Sequence, residues 1–294
     1  MDKNLIHISP APAQHWVGDG FPVRSMFAYN GAGVAQRSPF LLLDYAPPYT
    51  FAPHSGYRRG VGQHPHRGFE TVTIVYSGEL EHRDSTGAGG IIGAGDVQWM
   101  TAGGGIIHEE FHSPAFSQTG GVFQVAQLWV NLPAKDKMTP AHYQGITAAQ
   151  IPSVALPGEA GHMRLIAGDW QGHSAPAQTY TPMRVWDLRL AAGASADLPQ
   201  PEGWNTLLLV LHGSVQINGA GTAQSAQIAT LSATGTGLRL ANTGEAEATI
   251  LLLSGEPIDE PVFGYGPFVM NSREEINQAI DDFNSGRFAQ AASS

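Results

Sequence analysis

Residues Gly103 to Pro114 read GGGIIHEEFHSP, and the fold of the chain turns on how this stretch is read. The core His108-Glu109-Glu110-Phe111-His112 matches H-E-x-x-H. On a helix, that pattern sets two histidines one turn apart to bind zinc, with Glu109 as general base of a protease. On a strand, alternate side chains share a face, so His108 pairs with Glu110 while Glu109 points away. Gly103 to Gly105 stand just before the motif and Pro114 just after it, leaving room for only a marginal helix without a sustained apolar stripe. The strand reading is therefore the better one, and it makes His112 a bystander.

The surrounding chain has the same character. Its 36 glycines and 20 prolines punctuate short apolar runs such as FETVTIVYSGEL, FQVAQLWVNL and TLLLVLHGSVQING. Closely spaced runs of this kind, rich in β-branched and aromatic residues, predict an all-β protein built as a sandwich or barrel. Strand-glycine-strand units recur in both halves, around YSGEL and around LLLVLHGSVQING, which predicts a duplicated β-barrel. The expected division is a first barrel over 1–135, a linker over 136–160 and a second barrel over 161–294. The second barrel ends in a helix near 272–285, where Ile276, Ala279, Ile280 and Phe283 fall on one helical face. Ser272 and Glu275 form its capping box and Gly286 its stop. The terminal AQAASS is expected to fray.

Composition narrows the chemistry. A formal charge of −10 argues against direct nucleic-acid binding. With no cysteine, the chain has no disulfide framework, thiolate zinc site, iron–sulfur cluster or cysteine nucleophile, so any metal is held by histidine and carboxylate. No apolar run reaches membrane-spanning length, and MDKNLIHISPAP lacks the apolar core of a secretory signal, so a cytoplasmic protein without membrane partners is expected.

Of the 12 histidines, six (His54, His64, His66, His82, His108 and His112) lie between residues 54 and 112. The second half has no H-x-H, which assigns a metal site to the first half. In GQHPHRGFETV an extended backbone would put His64, His66 and Glu70 on one face, half a metal site, or else a solvated turn. His82 lies on a strand or hairpin, either lining the pocket or at the surface. Gln98 and Trp99 are expected to pack the barrel. The Ala-Pro-rich YAPPYTFAPHSGYRRGVG, with His54, reads as a long loop over the metal entrance.

Four segments in order, HPHRGFETV, GDVQWMTAGGGIIHEE, QLWVNLP and GEPIDEPVFGYGPFVMNSREEINQAI, resemble the signature segments of the pirin family of the cupin superfamily. The likeness runs from about Ser38 to Phe288. It implies a bicupin of two tandem jelly-roll-like barrels, the first holding one metal ion and the second none. On the matching positions the ligands would be His64, His66, His108 and Glu110, with Glu70 outside the ligand set. The resemblance implies iron(II), while three imidazoles and a carboxylate also accept Mn, Ni, Co, Cu or Zn. It further implies an activity like quercetin 2,3-dioxygenase, in which O2 opens the central ring of a planar phenol such as a flavonol and carbon monoxide leaves. Glu110 or Glu70 would accept the substrate proton. The alternative is a non-enzymatic, metal-dependent regulator or redox sensor that binds a protein partner. A monomer is expected.

Overall fold

The computed structural model describes residues 1–288, and the statements below concern those residues; the AQAASS end lies outside them. Strands dominate, with short helical segments between them. No helix is long and apolar enough to cross a membrane.

The chain forms two compact units, each built from one seven-stranded and one four-stranded sheet. In the first unit the larger sheet runs, in spatial order, His142–Ile146, Val97–Thr101, Phe69–Ser77, Gly121–Asn131, Phe40–Phe51, Phe21–Phe27 and His15–Val17. Its smaller sheet runs Gly60–His66, Ile106–His112, Leu80–Asp84 and Gly89–Ile92. The second unit repeats this seven-plus-four plan, with Leu5–Ser9, Gln227–Leu231, Asn205–His212, Ala248–Gly255, Met183–Leu190, Gly161–Ala167 and Ser153–Ala155 in its larger sheet. The duplication expected from the strand-glycine pattern is thus present in the topology.

The units are not the sequential blocks 1–135, 136–160 and 161–294. One consists of Ala13–Gly31, Phe40–Ala148 and the chain from Asp259 onward; the other of Met1–Pro12, Ala32–Pro39 and Ala149–Ile258. The segment read as a linker supplies His142–Ile146 to the first unit and Ser153–Ala155 to the second. Leu5–Ser9, at the chain's start, pairs with Gln227–Leu231. Local periodicity shows that such segments form strands; which open sheet edge each one covers is decided by long-range pairing.

The C-terminal helix, Arg273–Asn284, belongs to the first unit rather than to the second barrel. Its start follows the capping prediction, with Ser272 Oγ accepting from the Glu275 backbone N–H at 3.2 Å. The Glu275 carboxylate reaches back one residue further than in the usual box, to the Asn271 N–H at 2.9 Å. Ile276 and Ala279 are buried with Phe268, Met270 and Phe288, and Ile107 and Ile280 pack against them. Phe283 stays partly exposed. Arg67, itself buried, ties the helix down through an ion pair of 2.8 Å to Asp282.

The two interiors differ. The second unit is filled by apolar side chains, among them Leu165, Trp186, Leu188, Leu208, Val210 and Leu252. In the first, apolar residues such as Phe21, Val75, Phe123 and Val125 fill one part, and buried His66, His82, His108 and Glu110 occupy another. The stretch read as a long loop is mostly strand: Tyr45 to Phe51 continue Phe40–Phe51, and His54 stacks on Tyr57 with ring centroids 4.7 Å apart.

Candidate metal centre

The opening stretch is a strand. Ile106–His112 alternates in burial, with Ile106, His108, Glu110 and His112 buried and Ile107, Glu109 and Phe111 half-buried. Its entry is set by Gly103, whose φ of 51° is left-handed and whose absent Cβ would collide with the Thr139 carbonyl. Glu109 faces outward and pairs with Arg58 at 2.8 Å. Four residues of strand separate His108 from His112 by about 13 Å, too far to share an ion. His112 instead sits among Phe51, Phe116 and Phe123, with centroids 4.6, 5.2 and 4.8 Å away, and its Nε2 hydrogen-bonds the Gly20 carbonyl at 3.0 Å. Burial lowers its pKa to about 4, as befits a neutral core histidine. The letters H-E-x-x-H therefore carry no zinc-protease geometry.

Gly60–His66 pairs antiparallel with this strand, placing His64 opposite His108 and His66 opposite Ile106. The register slips between His108 and Glu110, so that Gly62 and Gln63 bulge against the single residue Glu109. The His64, His66 and His108 rings lie 4.2–4.9 Å apart between centroids, and one nitrogen from each lies within 4.8 Å of the others. His64 Nδ1 contacts the Gly62 carbonyl at 2.9 Å, which leaves the lone pair of a neutral ring on Nε2. His66 Nδ1 and His108 Nε2 are buried without a hydrogen-bond partner. Burial, reinforced by the neighbouring imidazoles, holds the pKa values of His66 and His108 well below the ordinary histidine range. Orphaned, neutral ring nitrogens converging on one point fit a divalent metal, which takes imidazole only in its unprotonated form.

Glu110 is buried beside this cluster. Its Oε1 accepts from Thr73 Oγ1 at 3.3 Å and its Oε2 from Gln127 Nε2 at 3.0 Å. Its carboxylate groups with His82 and His108, within 4.8 Å, rather than with His64 and His66. His64, Glu110, Thr73 and Gln127 border a cavity whose apolar wall is formed by Val17, Phe21, Val23, Val61 and Val125. Asp44 also borders it, bonded by Ser25 Oγ at 2.5 Å, and burial raises its pKa.

Glu70 is not brought to the cluster. Thr73 reaches Glu110 from one face of Phe69–Ser77, and Glu70, three residues earlier on a regularly paired strand, projects from the other. There it accepts from Thr101 Oγ1 at 2.7 Å, its Oε2 unpartnered, and burial pushes its pKa to about 7. The alternation that would place it on one face with His64 and His66 is broken at Gly68. This residue, at φ 89°, breaks the chain between two strands and resets the alternation.

Several residues escaped the sequence reading as site components. Thr73 and Gln127 hold Glu110, while His82, read as either lining the pocket or lying at the surface, is wholly buried against His108. Gln98 stands opposite Thr73 on the interior face, and both its amide atoms are buried without partners. A signal for Thr73 and Gln127 existed, since they lie opposite each other on adjacent strands. Recognising it required the strand register, which local pattern does not supply.

A duplicated β-barrel with one histidine-lined interior defines a bicupin, and the comparisons with known proteins agree. Residues 20–130 match the family described as Pirin, and residues 185–289 match the Pirin C-terminal cupin domain. The chain belongs to the pirin family. It is 55% identical to "Putative quercetin 2,3-dioxygenase PA2418" of Pseudomonas aeruginosa, over 98% of this chain and 99% of that protein. It is 39% identical to a pirin-like protein of Caulobacter vibrioides, over 92% and 94% of the two chains. Among solved structures, quercetin 2,3-dioxygenase from Acinetobacter baumannii superposes with a TM-score of 0.94 at 50% identity, covering 98% of this chain and 99% of that one. The Escherichia coli pirin YhhW, solved with nickel(II), shares the fold at 18% identity and a TM-score of 0.66, covering 86% of this chain and 99% of that one.

Proposed function

We propose that this protein is a metal-dependent dioxygenase of the quercetin 2,3-dioxygenase type, acting with O2 on a small planar phenol such as a flavonol. His64, His66, His108 and Glu110 are the proposed ligands and iron(II) the proposed ion. The observation that carries the reading is the convergence of three imidazoles, two of them buried with orphaned nitrogens, beside an apolar-walled cavity. A divalent ion held there supplies Lewis acidity to a phenolic hydroxyl and a redox partner for O2.

The chain's own residues do the rest. Val17, Phe21, Val23, Val61 and Val125 offer a flat aromatic substrate water-poor surface, and Asp44, His64, Thr73, Glu110 and Gln127 supply the polar part of the lining. The hydroxyl end of the substrate would face the histidines, where the ion is held. Glu110 is the proposed proton acceptor as well as the fourth ligand, and the Thr73 and Gln127 hydrogen bonds fix the plane of its carboxylate. The names carried by the Pseudomonas and Acinetobacter relatives support the choice of substrate class. The test is to load the purified protein separately with iron, manganese, nickel, cobalt, copper and zinc. Quercetin loss is then followed together with oxygen uptake and carbon monoxide release. Coupled turnover with at least one metal is expected; none with any metal refutes the proposal.

A further inference from the structure

His82 lies on Leu80–Asp84, which pairs with Ile106–His112 so that His82 stands opposite Glu110, and Asp84 opposite His108. The His82 side chain is fully buried and stacks on Tyr143, with centroids 5.1 Å apart and planes inclined by 20°. Both of its nitrogens are engaged. Nε2 is 3.1 Å from Asp84 Oδ2, and Nδ1 is 3.3 Å from His108 Nδ1. Asp84 is itself fixed, because its Oδ1 accepts from the Thr86 backbone N–H at 2.8 Å and from Thr86 Oγ1 at 2.6 Å.

This chain of contacts determines where the hydrogens sit. An ionised carboxylate only accepts, so the hydrogen in the Asp84 contact is on His82 Nε2. A neutral imidazole with hydrogen on Nε2 carries its lone pair on Nδ1. The contact between the two Nδ1 atoms must then take its hydrogen from His108. That leaves the His108 lone pair on Nε2, the atom buried without a partner. The reverse order, with His82 doubly protonated, would put a hydrogen on His108 Nε2 with nothing to receive it, at the cost of a buried unsatisfied donor.

We propose that His82, oriented by Asp84, is a positioning residue that locks His108 in its Nδ1–H tautomer and so presents Nε2 as the metal-binding atom. The inference rests on the reading of His108 as a ligand. On the same reading His82, although grouped with His108 and Glu110, would not be a ligand itself, because its one lone pair is taken by the His108 N–H. Outer partners of this kind fix ring orientation and raise ligand basicity.

The direct test is two-bond imidazole nitrogen–proton NMR on the metal-free, full-length protein labelled with nitrogen-15, with His82 and His108 assigned from single variants. The expected result is the Nε2–H tautomer at His82 and the Nδ1–H tautomer at His108. An Nε2–H tautomer at His108, or a doubly protonated His82, overturns the proposal. A second arm measures nickel(II) affinity by competition with a chromophoric chelator. Asp84→Asn, whose amide can donate and reverse the chain, and His82→Phe, which keeps the stacking on Tyr143, should each weaken binding about 10–100-fold. Affinities within twofold of the parent in both variants also overturn it. Should either variant fail to fold, the parent protein's tautomers decide alone. A parent protein that takes up no metal refutes the metal centre, whereas metal uptake with the wrong tautomer refutes only the positioning role.

Discussion

Glu70→Gln should make the protein more stable at neutral pH, and by an amount that vanishes in acid. Glu70 is fully buried, with one hydrogen bond from Thr101 and one oxygen unpartnered, and burial raises its pKa from 4.5 to about 7. Below pH 4.5 the group is protonated in both folded and unfolded chains and costs nothing. Between 4.5 and about 7 the unfolded chain releases its proton while the folded protein holds it, so stability falls as pH rises; above about 7 the loss is complete. A gap of this size corresponds to about 3 kcal/mol. Glutamine keeps the shape and the acceptor for Thr101 but does not titrate. The difference in unfolding free energy between variant and parent, from urea titrations at half-unit steps from pH 4 to 8.5, should therefore rise by about 3 kcal/mol and then level off. A flat difference across that range, or a variant less stable than the parent at pH 8, would refute the reasoning. Because Glu70 points away from the histidine cluster, metal content should be the same in both proteins.

Other substitutions separate the strand reading of residues 108–112 from the helical one. His108→Ala should abolish stoichiometric nickel(II) uptake, measured by elemental analysis after dialysis. His112→Ala should keep full uptake and instead lower stability by about 2–4 kcal/mol, because it opens a cavity among Phe51, Phe116 and Phe123. Glu109→Ala removes only the half-exposed pair with Arg58, so metal content should hold and the unfolding free energy from urea titration should change by no more than about 0.5 kcal/mol. Arg67→Ala removes the buried bonds to Asp282 and to the Gly104 carbonyl and should cost about 2–3 kcal/mol. Limited proteolysis should then cut first near the C-terminal helix.

How much of this was legible in the sequence depended on how far each inference had to reach. Strand parity is local, so His108 with Glu110, and His64 with His66, could be paired from spacing alone, and Glu109 and His112 set aside. Glu70 could not be placed that way, since Gly68 interrupts the strand and a single break inverts every face beyond it. His82 carried no local mark of burial; it became part of the site only when Leu80–Asp84 was paired with Ile106–His112. The helix at Arg273–Asn284 was readable from its cap and its apolar face, but not the barrel that receives it. The general rule is that type and facing of an element are written nearby, while its partner is written elsewhere in the chain.

The exchange of end segments has a consequence for how the chain is made. Leu5–Ser9 leaves the ribosome long before its pairing partner Gln227–Leu231, which appears only after more than 200 further residues. The unit with the histidines, in turn, waits for the segment beyond Asp259 that packs on Ile107. Neither barrel is complete until the other has been almost wholly synthesised, and no single cut divides the protein into two intact halves. Each domain has a piece of itself on the far side of its neighbour's main stretch of chain, so the two are obliged to be finished together.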